Sequence, residues 1–350
     1  MRTAALRVLQ LVLAGGLIAL LLRAGVFKLS DLAEVGERWP WLVAAHAIFA
    51  VFLLCATLRW HLLMRARGIA TRLRDTAAIL LVGWLFNQTM PSSTGGDVAK
   101  AVAIALEHPE HRASAVLSIA IDRFIGLLAL LTFALVTAAV NAPLVRSSAL
   151  VATFVGSIAL LLLGAIVTIT LFYSSALRVW LAARGAALLA GRIRPGATDS
   201  LPGRIAVRAF ELIVSIDQAV YAYRSRPDTL AACFGLSLAL HLSTIGVNLC
   251  LTWAVLGRPF DWVALLVLIP LAHTGMAVPI TPGAIGVAET LYTQLFALAG
   301  IAQGALICVL QRSIWYSWAL VGALVFALRK SGRRSVLAPA PIVASAARSD

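Results

Sequence analysis

Residues 87–101 read NQTMPSSTGGDVAKA, a polar stretch that contains a proline, two glycines, an acid and a lysine. The residues before it, TAAILLVGWLF at 76–86, and after it, AVAIAL at 101–106, are apolar. Neither apolar piece is long enough to cross a bilayer, which takes about 20 residues. A second interruption, PITPGAIGVAET, occurs at 279–290. Broken backbone at membrane depth is tolerated only where protein or a water-filled cavity surrounds it, so these two breaks constrain how the chain can fold.

The composition is that of a helical membrane protein. Of the 350 residues, 61% are hydrophobic and 13% are charged, whereas about 25% is charged in soluble domains. Lys and Arg outnumber Asp and Glu by 29 to 15, an excess that membrane proteins collect in cytoplasmic loops. Because no basic soluble module accompanies this excess, we expect no nucleic-acid partner. The four cysteines lie in apolar surroundings without paired spacing, which is typical of core residues.

The hydrophobic pattern predicts an all-α polytopic membrane protein. It has about six full spans plus two re-entrant or broken helical hairpins that meet near the midplane. The broken regions, 76–106 and 262–299, make no net crossing, either as pairs of tight crossings or as re-entrant hairpins, and their short halves favour the hairpins. The predicted full spans are 6–27, 41–63, 115–140, 149–172, 229–256 and 303–328.

The distribution of basic residues predicts the topology. Arginines concentrate in the loops 64–75 and 173–228 and directly after the last span, whereas the loop 28–40 is nearly neutral. The positive-inside rule then places both termini in the cytoplasm.

We predict one transmembrane domain over residues 1–330. Within it, residues 173–228 form a cytoplasmic amphipathic loop, whose arginines make the anionic inner leaflet a predicted partner. Residues 331–350 are predicted to be a disordered cytoplasmic tail.

Each break predicts a half-helix that begins near the midplane. In the first break, helix resumes after Pro91, and Gly95 and Gly96 leave bare backbone that another group can approach. In the second break, Thr281 suits an N-cap and Pro282 suits the first helical position. Both half-helices are therefore expected to aim free N–H groups at the midplane, where they would form an anion site.

Six ionisable residues lie at membrane depth. A charge at the centre of a membrane helix costs about 2.5–3.5 kcal/mol, so each should face a partner or a wet cavity. We expect the two arginines to hold an anionic headgroup and the three acids to balance or gate them, with Lys100 paired to Asp97 one turn earlier. The alternative is that these charges only pair with one another to orient the helices. The six are Asp97, Lys100, Asp122, Arg123, Glu289 and Arg312.

Other polar residues are weaker candidates. Asp122 and Arg123 are sequence neighbours that point to different faces, so they need not pair, and Arg59 lies near a span end, where it is expected to snorkel. The segment GGDVAK lacks the spacing of a phosphate-binding P-loop. Ser92 and Ser93 have no general base nearby in sequence. We therefore predict no catalytic residue, no cofactor and no metal.

Four motifs make the sequence familiar: N-x-x-x-P before a glycine-rich turn, D-R-x-x-G-L, P-x-T-P-G-x-x-G-x-x-E, and R-x-x-x-Y. With these motifs the chain resembles, over nearly its whole length, the flippase-like transmembrane family of lysylphosphatidylglycerol synthases. That family includes stand-alone inner-membrane proteins and members from hopanoid gene clusters. The predicted substrate-binding residues are Asn87, Pro91, Gly95, Gly96, Asp97, Lys100, Asp122, Arg123, Thr281, Pro282, Gly283, Gly286, Glu289, Arg312 and Tyr316.

The chain departs from the family pattern in two ways. Bifunctional synthases carry a large soluble aminoacyl-transfer domain after the membrane part, whereas this sequence continues for only about 20 residues after its last span. The resemblance therefore implies the lipid-translocating part and not the synthase. Ala284 stands where the family often has glycine, a change expected to matter little.

These observations favour a lipid flippase-like transporter of the bacterial inner membrane and not an enzyme. It would pass a lipid with an anionic or zwitterionic headgroup between leaflets, as a monomer or a homo-oligomer. Without an ATPase motif, a gradient or the substrate supply would drive it. Two alternatives stay open: a membrane-embedded transferase or accessory factor in lipid or glycolipid synthesis, including hopanoid synthesis, and a small-solute or ion transporter using the same site.

Overall fold

The computed structural model describes residues 29–90, 95–173, 223, 225–277 and 284–329. Over these residues the chain forms helices and short connections, with no β-strand. The helices, numbered in chain order within the described residues, are α1 (Leu29–Glu37), α2 (Trp39–Ala66), α3 (Leu73–Thr89), α4 (Gly95–Glu107), α5 (Arg112–Val140), α6 (Ala142–Ser147), α7 (Ala149–Tyr173), α8 (Pro227–Leu256), α9 (Trp262–Met276), α10 (Val287–Ala297) and α11 (Gly304–Leu328).

Five of the described helices, α2, α5, α7, α8 and α11, are long and apolar enough to cross a membrane. They coincide with five of the six predicted spans, and the all-α polytopic fold class is confirmed. The predicted span 6–27, most of the loop 173–228 and the tail 331–350 lie outside the described residues.

Both broken regions are helical hairpins with short arms. The longest arm, α3, has 17 residues and the shortest, α10, has 11. At 1.5 Å per residue these arms measure about 25 Å and about 16 Å, less than the ~30 Å hydrocarbon core. The two arms of each hairpin pack against each other. The turns between the arms, at 91–94 and 278–283, lie outside the described residues, so their meeting near the midplane stays a prediction.

Local sequence explains where the arms end. Met90 has extended backbone (φ −93°, ψ 148°) because the following Pro91 disfavours helical geometry in the residue before it. Gly286 has φ +83° immediately before α10, a conformation that glycine adopts without steric cost. In the first hairpin, a Cβ on Gly96 would stand 2.1 Å from the Gly83 carbonyl oxygen. The backbones of α3 and α4 therefore touch, and only glycine fits at that contact.

Most of the described chain falls into two halves of equal length, residues 39–140 (the first half) and residues 227–328 (the second half), with α1 before the first half and α6 and α7 after it. Each half consists of a long helix, a two-armed hairpin and a second long helix. The halves interlock: α2 packs along α8, α3 along α11, and α9 along α5. Because α3 and α9 are the first arms of their hairpins, each hairpin packs on the last helix of the other half.

The two opening helices, α2 and α8, are antiparallel. Arg38, just before α2, donates from Nη1 to the Ala254 carbonyl near the end of α8, at 3.0 Å. Near the opposite end, the Cys233 thiol lies 3.6 Å from the Arg59 carbonyl oxygen. The halves therefore run in opposite directions, as in the inverted repeats of many transporters.

Candidate functional site

The acid of the first hairpin lies between two cations. Asp97 is the third residue of α4, with Arg123 Nε 2.6 Å from its Oδ2 and Lys100 Nζ 2.9 Å from its Oδ1. The predicted pairing of Lys100 with Asp97 is confirmed. The Lys100 ammonium also lies 5.2 Å from the centre of the Trp60 ring, a cation–π contact. Lys100 is buried, but 53% of the Arg123 side chain is exposed. We call Asp97 and Arg123 the first pair.

The acid of the second hairpin occupies the matching position. Glu289 is the third residue of α10, and its Oε1 accepts a hydrogen bond from Arg312 Nε at 2.8 Å. Arg312 Nη2 also donates to the Ala284 carbonyl at 3.1 Å. Only 11% of the Arg312 side chain and 9% of the Glu289 side chain are exposed. We call Glu289 and Arg312 the second pair. Because both side chains are almost fully buried, we describe this pair as closed, in contrast to the first pair, whose arginine is exposed.

The expectation of free N–H groups at the half-helix starts is wrong for the two glycines that flank them. The Gly96 N–H donates to Asn87 Oδ1 at 2.8 Å, and the Gly286 N–H donates to Glu289 Oε2 at 2.7 Å. An unpaired N–H in a membrane costs several kcal/mol, so the chain satisfies these donors with its own side chains. These two donors are therefore not available to an anion, whereas the side chain of Arg123 is exposed.

The prediction for Arg59 is also wrong, and Asp122 has a structural partner. Arg59 Nε and Nη2 bind the two Asp122 carboxylate oxygens at 2.7 and 3.1 Å, and Arg59 Nη1 donates to Ser237 Oγ at 2.9 Å. Since α2 continues to Ala66, nearly two turns further, Arg59 is buried between α2, α5 and α8 and does not reach the interface. As expected, Asp122 and Arg123 have different partners.

A neutral network in the second half was missed in the sequence. The Tyr292 hydroxyl lies 3.0 Å from Asn248 Oδ1 and 3.2 Å from His273 Nε2, and it contacts Gln311 Oε1. A signal was available, because Tyr292 lies one turn after Glu289 and Gln311 directly precedes Arg312.

A cavity of about 190 Å³ borders this network. Residues from both halves line it, among them Phe49 and Phe52 of α2, His241 of α8, His273 of α9 and Trp315 of α11. Among the described residues that line it, there is no Asp, Glu, Lys or Arg. This cavity therefore differs in chemistry from the two ion pairs.

Among the remaining predicted site residues, Gly95 and Tyr316 lie within the described part of the chain. Gly95 packs beside the Met90 side chain, where an added Cβ would stand 2.7 Å from the sulfur. Tyr316 lies one turn after Arg312 and is 45% exposed. The residues that lie outside the described part of the chain are Pro91, Thr281, Pro282 and Gly283.

Comparison with known families gives one match. The family model described as the lysylphosphatidylglycerol synthase TM region matches residues 7–325, which is nearly the whole chain. Searches against curated proteins and against solved structures returned no match.

Proposed function

This chain belongs to the family of the lysylphosphatidylglycerol synthase transmembrane region, and on that premise we propose that it is a flippase-like transporter. It moves a lipid with an anionic or zwitterionic headgroup between the leaflets of the bacterial inner membrane. The acyl chains stay in the surrounding lipid while the headgroup passes the ion pairs. Both termini lie in the cytoplasm, and the protein works without changing the lipid covalently.

One observation carries this proposal: each broken hairpin presents a carboxylate to an arginine of the next long helix. Asp97 meets Arg123, and Glu289 meets Arg312. Ionisable groups inside membrane proteins are energetically costly and rare, and they commonly mark substrate or ion pathways. Broken helices that carry such groups are a common device of secondary transporters.

Arg123 is the residue best suited to receive a lipid phosphate. Its guanidinium binds Asp97 through Nε, and more than half of its side chain is exposed. Guanidinium groups bind phosphate through paired N–H donors, which Lys matches less well. Asp97, which also pairs with Lys100, holds the guanidinium in place, and a headgroup phosphate would compete with Asp97 for it.

The test is headgroup translocation in reconstituted vesicles. Purified protein is placed in vesicles that contain fluorescent short-chain phosphatidylglycerol, and a membrane-impermeant quencher reports which leaflet the label occupies. A charged hydrogen bond contributes about 1.5–3 kcal/mol, so Arg123→Ala should slow protein-dependent translocation by roughly 10- to 100-fold. Arg146→Ala is the matched control, because Arg146 is an exposed residue of α6 outside the site.

Unchanged translocation in Arg123→Ala would contradict the assignment. The lipids are extracted after each assay, and their molecular masses are measured by mass spectrometry. A change in lipid mass that requires the protein would replace the transporter proposal with a transferase.

A further inference from the structure

The two halves carry the same chemistry at matching positions. In each half, the acid is the third residue of the second hairpin arm, and it binds an arginine of the following long helix. That arginine directly follows a polar residue, Asp122 in the first half and Gln311 in the second. Each of these polar residues is linked to the long helix that opens its half, Asp122 directly and Gln311 through Tyr292.

The layer behind the pairs is matched in position but not in charge. It is ionic in the first half, where Arg59 binds Asp122, and neutral in the second half, where Tyr292 joins Asn248 and Gln311. Only the acid–arginine pair keeps both its place and its charges. The pair is therefore the unit that the repeat preserves.

The repeat is inverted, and its two pairs differ in exposure. Because α2 and α8 are antiparallel, the halves run in opposite directions, as in repeats related by an axis in the membrane plane, whose equivalent groups face opposite leaflets. The Arg123 side chain is 53% exposed, whereas that of Arg312 is 11% exposed. The two equivalent arginines thus differ in exposure within one molecule.

We propose that the two pairs are one phosphodiester-binding station present twice, once toward each leaflet, and that the stations open alternately. This inference rests on the proposed function and describes the path that the lipid headgroup would take between the leaflets. In the described conformation the first pair is open and the second is closed. In the alternative conformation the second pair opens as the first closes.

The contacts of the second pair show what holds it closed. Glu289 binds Arg312 through one carboxylate oxygen and the Gly286 N–H through the other, while Arg312 also binds the Ala284 carbonyl. These bonds fasten the start of α10 to α11. Glu289→Gln weakens the charged bond while it keeps the shape of the side chain, so it should favour the conformation in which the second pair is open.

The experiment measures the accessibility of each arginine by reaction with phenylglyoxal, followed by peptide mass spectrometry. In the parent protein, Arg123 should react faster than Arg312, with buried Arg59 and exposed Arg146 as internal references. In Glu289→Gln, the ratio of the Arg312 rate to the Arg123 rate should rise about tenfold, with Arg312 reacting faster and Arg123 slower, as expected for loss of one charged hydrogen bond. A local loosening of the second pair raises the Arg312 rate alone, and that result would overturn the inference.

A second measurement needs no substitution. The parent protein in maltoside detergent is labelled alone, with short-chain phosphatidylglycerol, or with inorganic phosphate at the same concentration. The lipid should slow the Arg123 reaction about tenfold, and phosphate ion should slow it far less. If lipid and phosphate slow the Arg123 reaction equally, the station binds free phosphate. If neither slows it, Arg123 is not part of a phosphodiester-binding station.

The failure of this inference can be told from failure of the proposed function. If the parent translocates lipid but Glu289→Gln leaves the rate of the Arg123 reaction unchanged, the proposed transport is supported and the alternating opening of the two stations is contradicted. If the two rates change reciprocally but no lipid moves, the alternating repeat stands and lipid transport is lost.

Discussion

At the scale of single residues, the backbone of the second hairpin carries strain at one alanine. Ala284 has φ +53°, a left-handed conformation that costs an L-residue roughly 1–2 kcal/mol relative to glycine. Its carbonyl oxygen is also the acceptor that holds Arg312 Nη2. The glycine that the family often has at this position suits a positive φ, whereas alanine adopts it at a steric cost.

Ala284→Gly should stabilise the protein. Relief of the left-handed strain outweighs the greater freedom that glycine has in the unfolded chain, for a net gain of about 1 kcal/mol. The gain appears as a higher unfolding temperature in detergent, followed by tryptophan fluorescence. Ala134→Gly is the control, since Ala134 is buried in the interior of α5 and glycine there should destabilise by about 1 kcal/mol. Equal shifts in the two variants would contradict the strain at Ala284.

The charges of the candidate site and one pairing within a helix were predictable from the sequence, whereas the pairing of Asp122 with a distant helix was not. Sequence pattern identifies the acids and arginines, because charges are rare in apolar spans and each needs a partner. Spacing within one helix also gave the Lys100–Asp97 contact. The partner of Asp122 was not predictable, because Arg59 comes from a helix 63 residues earlier in the chain and only the packing of α2 on α5 brings them together.

At the scale of helices, one buried ion pair joins three of them. Arg59 of α2 binds Asp122 of α5 and Ser237 of α8, and all three side chains are buried. Removing one member of such a pair leaves the other charge without compensation, which costs about 3–5 kcal/mol. The pair therefore fixes how these helices meet, whatever it adds to net stability.

Arg59→Met should lower the unfolding temperature strongly, and the double variant Arg59→Met/Asp122→Leu should recover most of the loss. The recovery follows because no buried charge remains, and Ser237 keeps its hydrogen bond to the Cys233 carbonyl. Thermal unfolding of both variants beside the parent checks the expectation. A double variant as unstable as the single one would mean that the pair is needed for more than charge compensation.

The helices themselves were predicted well, because their signals are local. Long apolar runs predicted the five full spans that the described residues contain, and Pro and Gly marked the breaks between the hairpin arms. The repeat was less visible, since the two breaks share little beyond a proline, glycines and an acid. The equal length of the halves became clear only once the helix bounds were known.

At the scale of the whole molecule, the interlocked halves make a further prediction about assembly. Three pairs of helices pack across the boundary between the halves: α2 with α8, α3 with α11, and α9 with α5. Two separate chains, residues 1–200 and residues 201–350, should therefore associate when they are expressed together. A tag on one chain should retain the other through detergent extraction and purification.

The interface between α2 and α8 supplies a matched pair of variants for this test. A Cβ on Gly246 would stand 3.3 Å from Ile48 Cγ2 of α2, whereas one on Gly235 meets no atom within 4 Å. Gly246→Trp should therefore push α8 away from α2 and reduce co-purification of the two chains, while Gly235→Trp should leave it unchanged. If the two chains fail to co-purify, the segment that links the halves, and not their packing, holds the molecule together. Equal losses in the two variants would contradict the close contact of α2 with α8 at Gly246.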